Sequence, residues 1–298
     1  MGIIKHKYIF IIISAVLVLA SWLALAFWGL RPSIDFTGGS IWEIKFEKQI
    51  PYPQEIHDVF SSVGIDNFVL QPTEDNRTMI IRFKETDEAK HQELLKNLSV
   101  RGQFIENKFA SIGPTIGREL KQKSWLALFL TLAAIILYIA WAFRKVSKPV
   151  ASWKYGVAAI IALIHDVSIP AGVFAFLGKW QGVEVDALFI TSLLTILGFS
   201  VHDTIVVFDR IRENLKKLKS SEDFGTTVGR SIRETMSRSI NTSLTVMLVL
   251  AAIVFLGGET VKFFSIALLI GVFFGTYSSI FIASPLLVIW QGLSRRRN

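Results

Sequence analysis

Two aspartates stand where a charge is expensive. Asp166 lies in the apolar run 155–178 and Asp203 in the run 187–208, and each follows a histidine, His165 and His202. A charged side chain near the centre of a bilayer costs at least about 2.5–3.5 kcal/mol on insertion scales, so such groups face a bundle interior, find a partner or carry ions. The structural alternative is an aspartate kept protonated or hydrogen-bonded to pack helices. Asp203 has the richer surroundings, with Ser200 and Thr204 stacked four residues apart on the same helical face, where small hydroxyl residues let helices approach and hydrogen-bond across. It precedes the boundary residue Asp209 by about 9 Å of helix at 1.5 Å per residue, a depth within reach of water through a modest opening. Further along, Arg238, Asn241, Thr242 and Thr245 form a polar stripe entering an apolar run. A long arginine side chain can reach inward from a helix end. An Asp203–Arg238 pair would hold the carboxylate charged when formed and let it take a proton when broken, which is the chemistry of a proton switch. Taken alone, Arg238 reads as a boundary anchor.

Other chemistry has little support. There is no cysteine, which excludes disulfides, thiol catalysis and thiolate metal sites. No nucleophile, base and orienting group recur at recognisable spacing, so neither an enzyme nor a resident cofactor or metal is expected.

The elements that must position these aspartates are membrane helices. Half the chain, 51%, is hydrophobic and only 19% is charged, against roughly a quarter charged in an average soluble domain. Residues 8–30, 124–143, 239–258 and 263–294 carry no charge at all, and the runs holding the two aspartates complete a set of six. Each exceeds the roughly 18 apolar residues that propose a spanning helix. The run 8–30 is longer than a signal-peptide core of about 7–15 residues and lacks a small-x-small site before Arg31, so it is expected to stay as an anchor. The net charge of +8 suggests nucleic acid until it is located. Residues 31–123 are nearly balanced, and the excess basic residues cluster at Lys5 and Lys7, at 144–154, at 210–238 and at 295–297. Short basic loops stay in the cytoplasm. With six spans all these clusters fall on one side, so both termini are expected there, with residues 31–123 outside. The expected organisation is a first span within 1–30, an extracytoplasmic domain at 31–123, and five further spans within 124–298, with a cytoplasmic loop at 209–238 and a basic C-terminus.

The outer domain alternates strand and helix patterns. Residues 40–46 (SIWEIKF) alternate as a half-buried strand, and 53–63 show helical spacing at Ile56, Val59 and Phe60. Strands are expected at 67–71 and 79–83, a helix at 86–98 capped by Thr86, and a last strand at 102–109. The order β-α-β-β-α-β predicts an α+β ferredoxin-like domain that works by contact. Glycine-bearing junctions flank it, with Asp35, Gly38 and Gly39 in DFTGG and Gly113 and Gly117 in GPTIG. They read as turns, or as hinges joining the domain to the membrane.

Residues 198–214 (GFSVHDTIVVFDRIREN), which include Asp209 and Arg210, resemble the fourth-span signature of the SecD/SecF family of bacterial protein-export membrane proteins. DFTGG, GPTIG, 162–167 (ALIHDV), 238–245 (RSINTSLT) and 275–285 (GTYSSIFIASP) resemble its other motifs in order, so the resemblance covers essentially the whole chain. It implies one half of an RND-type bundle in the bacterial inner membrane, paired with SecD and associated with the SecYEG channel and YajC. By the same resemblance, proton-motive force helps to draw out exported preproteins after SecA has pushed them. The family's membrane carboxylate matches Asp203, and its fifth-span arginine matches Arg238. His202 departs from the asparagine usual before that aspartate; an imidazole there could titrate or simply hydrogen-bond. An exporter of a small solute or lipid from the same superfamily, and a non-transporting assembly factor, are the competing expectations.

Overall fold

The structure, a computed structural model, describes residues 2–73, 77–143, 150–217 and 223–296. The basic stretch 144–149, residues 218–222 of the expected loop and Arg297 lie outside them. The chain divides into two compact units, Pro32–Trp125 and Met1–Arg31 with Leu126–Asn298.

In the smaller unit, alternation of side chains makes β1 (Gly39–Phe46) half-buried, with Trp42, Ile44 and Phe46 turned inward. A short helix α3 (Ile34–Thr37) precedes it. Helix α4 (Pro53–Ser62) and helix α5 (Glu88–Ser99) set Ile56, Phe60, Leu94 and Leu98 against these residues. Strands β2 (Phe68–Pro72), β3 (Thr78–Phe83) and β4 (Phe104–Ile112) complete an antiparallel sheet in the order β2-β3-β1-β4. This is the ferredoxin-like arrangement, closed by one apolar core. The start of α5 differs from expectation. Asp87, not Thr86, caps it, accepting a 2.9 Å hydrogen bond from the Lys90 amide. The Thr86 amide instead donates to the hydroxyls of Ser40 and Ser111, which ties the loop to β1 and β4.

The larger unit is helical: α1 (Gly2–Lys5), α2 (Lys7–Trp28), α6 (Pro114–Ala142, which begins in the smaller unit), α7 (Ser152–Gln181), α8 (Ala187–Lys216), α9 (Phe224–Leu256), α10 (Glu259–Ser278) and α11 (Ser284–Arg296). A π-helical turn, Ser279–Ala283, joins α10 to α11. Among the described residues six helices are long and apolar enough to cross a membrane, the last running through the π turn. The expected loop 209–238 is mostly helix, because α8 runs on to Lys216 and α9 begins at Phe224. Charged residues sustain the overrun: Arg210 pairs with Glu213, Glu213 with Lys217 and Arg212 with Asp209, all three or four residues apart.

Small residues set the helix approaches. A Cβ on Gly172 of α7 would overlap Ser21 of α2, and one on Gly271 of α10 would overlap Ile196 of α8. Pro285 has no amide to donate one turn back. The widened turn ahead of it, with the Ser284 hydroxyl donating to the Ser279 carbonyl at 3.2 Å, absorbs the missing bond. Two apolar clusters form, one around Tyr155, Phe208 and Ile232, the other around Phe174, Phe189 and Leu268. Along α7, His165, Asp166 and Ser168 lie between them.

Candidate functional site: two buried carboxylates in the helix bundle

Asp166 is fully buried and its carboxylate is fully used. His165 Nδ1 lies 2.8 Å from Oδ1, the Ser278 hydroxyl of α10 donates to Oδ2 at 2.7 Å, and the Ser200 hydroxyl of α8 donates to the same oxygen. Three helices therefore meet on one carboxyl group. Pro170 sits one turn further along α7 and has no amide to offer the Asp166 carbonyl, so the main chain is loosened where the side chain is held. The outer nitrogen of His165, Nε2, is buried without a hydrogen-bond partner.

Asp203 is buried too, but incompletely satisfied. The hydroxyls of Ser239 on α9 and Ser279 in the π turn lie at its carboxylate. Its Oδ2 nevertheless has no hydrogen bond of ordinary geometry, and neither has the Ser239 hydroxyl. Beside it, Thr204 and Ser279 share a 2.9 Å hydrogen bond. A buried acceptor left open is costly, about 1–3 kcal/mol, and a carboxylate that gains a proton loses part of that demand. The two aspartates thus differ in kind: one is locked by donors, the other has room for a change of charge.

The polar stripe on α9 is not the one the sequence suggested. Asn241, Thr242 and Thr245 are exposed on the outer side of the helix. The buried stripe is Thr227, Ser231, Thr235, Ser239 and Ser243, every fourth residue. Its members bond back to the helix, Ser231 to the Thr227 carbonyl at 2.8 Å, Thr235 to Ser231 at 3.1 Å and Ser243 to Ser239 at 2.8 Å. Ser239 lacks that bond, and it is the residue that faces Asp203. The repeat T-x3-S-x3-T-x3-S-x3-S carried this signal in the sequence; polarity drew attention to the larger Asn and Thr side chains instead. Ser278 and Ser279 were legible only as part of the motif 275–285, without a role at either carboxylate.

Arg238 and Asp203 form no ion pair in this structure. Consecutive residues on a helix point about 100° apart, so with Ser239 turned inward Arg238 is exposed, as is His202. Arg238 lines a cleft of about 490 Å³ between α8 and α9, together with Asp209, Arg210, Glu213 and Glu234. Across the cleft Arg210 holds Glu234 at 2.6 Å, and along its own helix it holds Glu213 at 2.6 Å. Behind it the buried Asn214 amide donates to Ser231 at 2.9 Å and to Glu234 at 2.8 Å. The cleft also reaches Val206, one turn from Asp203.

The glycine junctions belong to the smaller unit and pack directly on each other. Gly38 and Gly39 have φ of 72° and 114°, conformations that side chains disfavour. A Cβ on Gly38 would lie 2.8 Å from the Pro114 Cα, and one on Gly117 would lie 2.9 Å from the Gly38 amide nitrogen. Asp35 sits in the first turn of α3, its amide bonded to Ser33. A Cβ on Gly113 would meet the Glu85 carboxylate.

Residues 91–293 match the family described as protein export membrane protein SecD/SecF, C-terminal. The chain is 44% identical to the protein translocase subunit SecF of Thermobaculum terrenum, over 97% of this chain and 93% of that one. It is 41% identical to SecF of Anaerolinea thermophila, over 98% and 94%. Among solved structures it resembles SecDF, a translocon-associated membrane protein from Thermus thermophilus, with a TM-score of 0.82 at 32% identity over 98% of this chain. It spans 39% of that longer chain. Family match, near-full-length identity and shared architecture agree that the chain belongs to the SecD/SecF family of protein-export membrane proteins.

Proposed function

We propose that this chain is the SecF half of a proton-driven export complex, in which Asp203 binds and releases the proton. The observation that carries the reading is the buried Asp203 carboxylate with an unpartnered Oδ2, set between α9 and the π turn and one turn from a cleft between α8 and α9. Protonation removes the demand of the open oxygen; deprotonation calls for a donor. Ser239 has a hydroxyl free to answer, and Arg238, its neighbour in sequence, hangs from the same turn with a side chain long enough to swing inward. Asp203 and the exposed Arg238 are thus the two partners of a charge switch whose closed form requires α8 and α9 to shift. Asp166, with every oxygen engaged, holds the helices in register.

A relative that carries SecD and SecF sequence in one polypeptide supports SecD as the partner half. The exposed side of α8 and α9, with His202, Arg238, Asn241 and Thr242, is the side offered to it. Positive-inside topology places both termini in the cytoplasm of a bacterial inner membrane and the sheet domain outside, where it handles exported chains by contact. The complex then acts at the SecYEG channel, with YajC, after SecA has inserted the preprotein, and performs no covalent catalysis. The test pairs Asp203→Asn with a measurement of force-dependent export and of SecD co-purification. Lost export with intact complex supports the reading; normal export removes Asp203 from the mechanism and favours an assembly role.

A further inference from the structure

Away from the carboxylates, a cleft of about 310 Å³ opens where the start of the chain meets α9 and α11. Its rim is basic: Lys5 closes α1, Lys7 opens α2, and Arg233 projects from the third turn of α9. The one carboxylate on the rim, Asp223, caps α9 and accepts from the Gly225 amide at 2.9 Å. The floor is apolar. Gly225 and Gly229 leave the α9 backbone bare, so that a Cβ on Gly229 would already lie 3.4 Å from the Ile4 side chain, and Val288 of α11 borders the same space.

The cleft lies at a membrane boundary. Lys7 is the first residue of the first candidate span. Tyr8 beside it is 59% exposed. Two residues beyond Val288, Trp290 packs on Trp153 at 5.9 Å, and Lys154 stands over the Trp153 ring. Aromatic and basic side chains gathered at one level mark the headgroup region of a bilayer.

We propose that this cleft holds the phosphate of an anionic lipid from the adjoining leaflet. Three cations converge on a space that an anion of phosphate size can enter, beside the first turn of a long helix whose partial positive end favours the same charge. The apolar floor under the rim takes the glycerol and the root of the acyl chains, which a free anion does not need. Basic pockets between membrane helices recognise lipid headgroups in this way. A lipid seated here clamps the chain's start to α9, the helix that carries Ser239 and Arg238. The inference is independent of any role for Asp203 and of which side the cleft faces.

The test titrates the full purified chain with phosphatidylglycerol, with phosphatidylcholine and with inorganic phosphate, and counts retained lipid by native mass spectrometry. Preferential retention of phosphatidylglycerol is expected, falling about five-fold for each charge removed in Lys5→Gln, Lys7→Gln and Arg233→Gln. Lys5→Arg with Lys7→Arg retains it, which separates loss of charge from loss of fold, and Arg233→Gln alone gives the reading if the triple variant does not accumulate. Lys154→Gln, at the same boundary but outside the cleft, leaves retention unchanged. Equal retention of phosphatidylcholine, an equal loss from Lys154→Gln, or displacement of the lipid by an equal concentration of inorganic phosphate would each overturn the proposal.

Discussion

Ser278 of α10 donates to Oδ2 of Asp166 at 2.7 Å, across a bundle in which that carboxylate is wholly buried. The other oxygen is taken by His165, and Ser200 shares the first. Without the aspartate the Ser278 hydroxyl keeps the Gly275 carbonyl at 3.0 Å, whereas the Ser200 hydroxyl and the His165 ring lose their hydrogen-bond partner. Buried polar groups joined this way stabilise as a set or fail as a set.

The first prediction follows from that network. Asp166→Ala strands the Ser200 hydroxyl and the His165 ring, each at about 1–3 kcal/mol, and leaves Ser278 only the Gly275 carbonyl, so little folded chain should be recovered. Asp166→Asn keeps an acceptor and a near-identical shape, and recovery close to the parent is expected. Yield in detergent and thermal unfolding of the purified chain check this. Equal recovery of both variants would show that the network does not hold the bundle.

A second prediction concerns the paired glycine motifs. Gly38→Ala places a Cβ against the Pro114 backbone at φ 72° and ψ 171°, a conformation that by itself costs a side chain on the order of 1–3 kcal/mol, and overlap adds to it. Gly117→Ala presses on the Gly38 backbone from the other side. Both should lower the unfolding temperature of the full chain, whereas Gly64→Ala meets no neighbouring atom and carries only the cost of its positive φ. Because Gly38 and Gly117 share one contact, their double variant should lose less than the two singles together.

A third prediction separates the two polar stripes of α9. Asn241→Ala and Thr242→Ala alter exposed positions, so the chain's own stability should move by no more than about 0.5 kcal/mol. Any export defect from them must act through a partner and should appear as weaker co-purification with SecD. Ser243→Val, by contrast, removes a buried hydroxyl joined to Thr276 of α10 and should destabilise the isolated chain. Thermal unfolding of each variant without SecD gives the comparison.

The sequence made some of this legible and hid the rest for physical reasons. Alternation in SIWEIKF gave β1, because a pleated strand exposes every second residue to one side. The membrane helices were readable from uncharged runs, but their ends were not. Charges that stop hydropathy at Asp209 do not stop a helix when Arg210, Glu213 and Lys217 pair along it. Asp203 was legible as a candidate from its type, its depth and its place in the family-like motif 198–214. Its real neighbours were not, since serines at every fourth position blend with helix packing, while Arg238 and Asn241 stand out by size and charge. A one-residue offset turns a side chain about 100°, and that offset separates Ser239, facing the carboxylate, from Arg238, facing away.

The last prediction tests the switch at Asp203. Asp203→Asn is nearly isosteric and retains hydrogen bonding, so the bundle should fold and bind SecD as the parent does. It cannot lose a proton, so export that depends on proton-motive force should stop while insertion driven by SecA and ATP continues. Arg238→Lys keeps the charge but loses the planar guanidinium fork, and a partial defect is expected. Ser239→Ala withdraws the nearest free hydroxyl from the charged form; being a buried group without a hydrogen bond of its own, its loss should leave stability unchanged while export slows. A purely structural Asp203 gives the reverse order: Asn tolerated in export, with damage across the three variants tracking loss of folded complex. Measuring complex yield and force-dependent export side by side distinguishes the two patterns, and normal export from Asp203→Asn would assign proton coupling elsewhere.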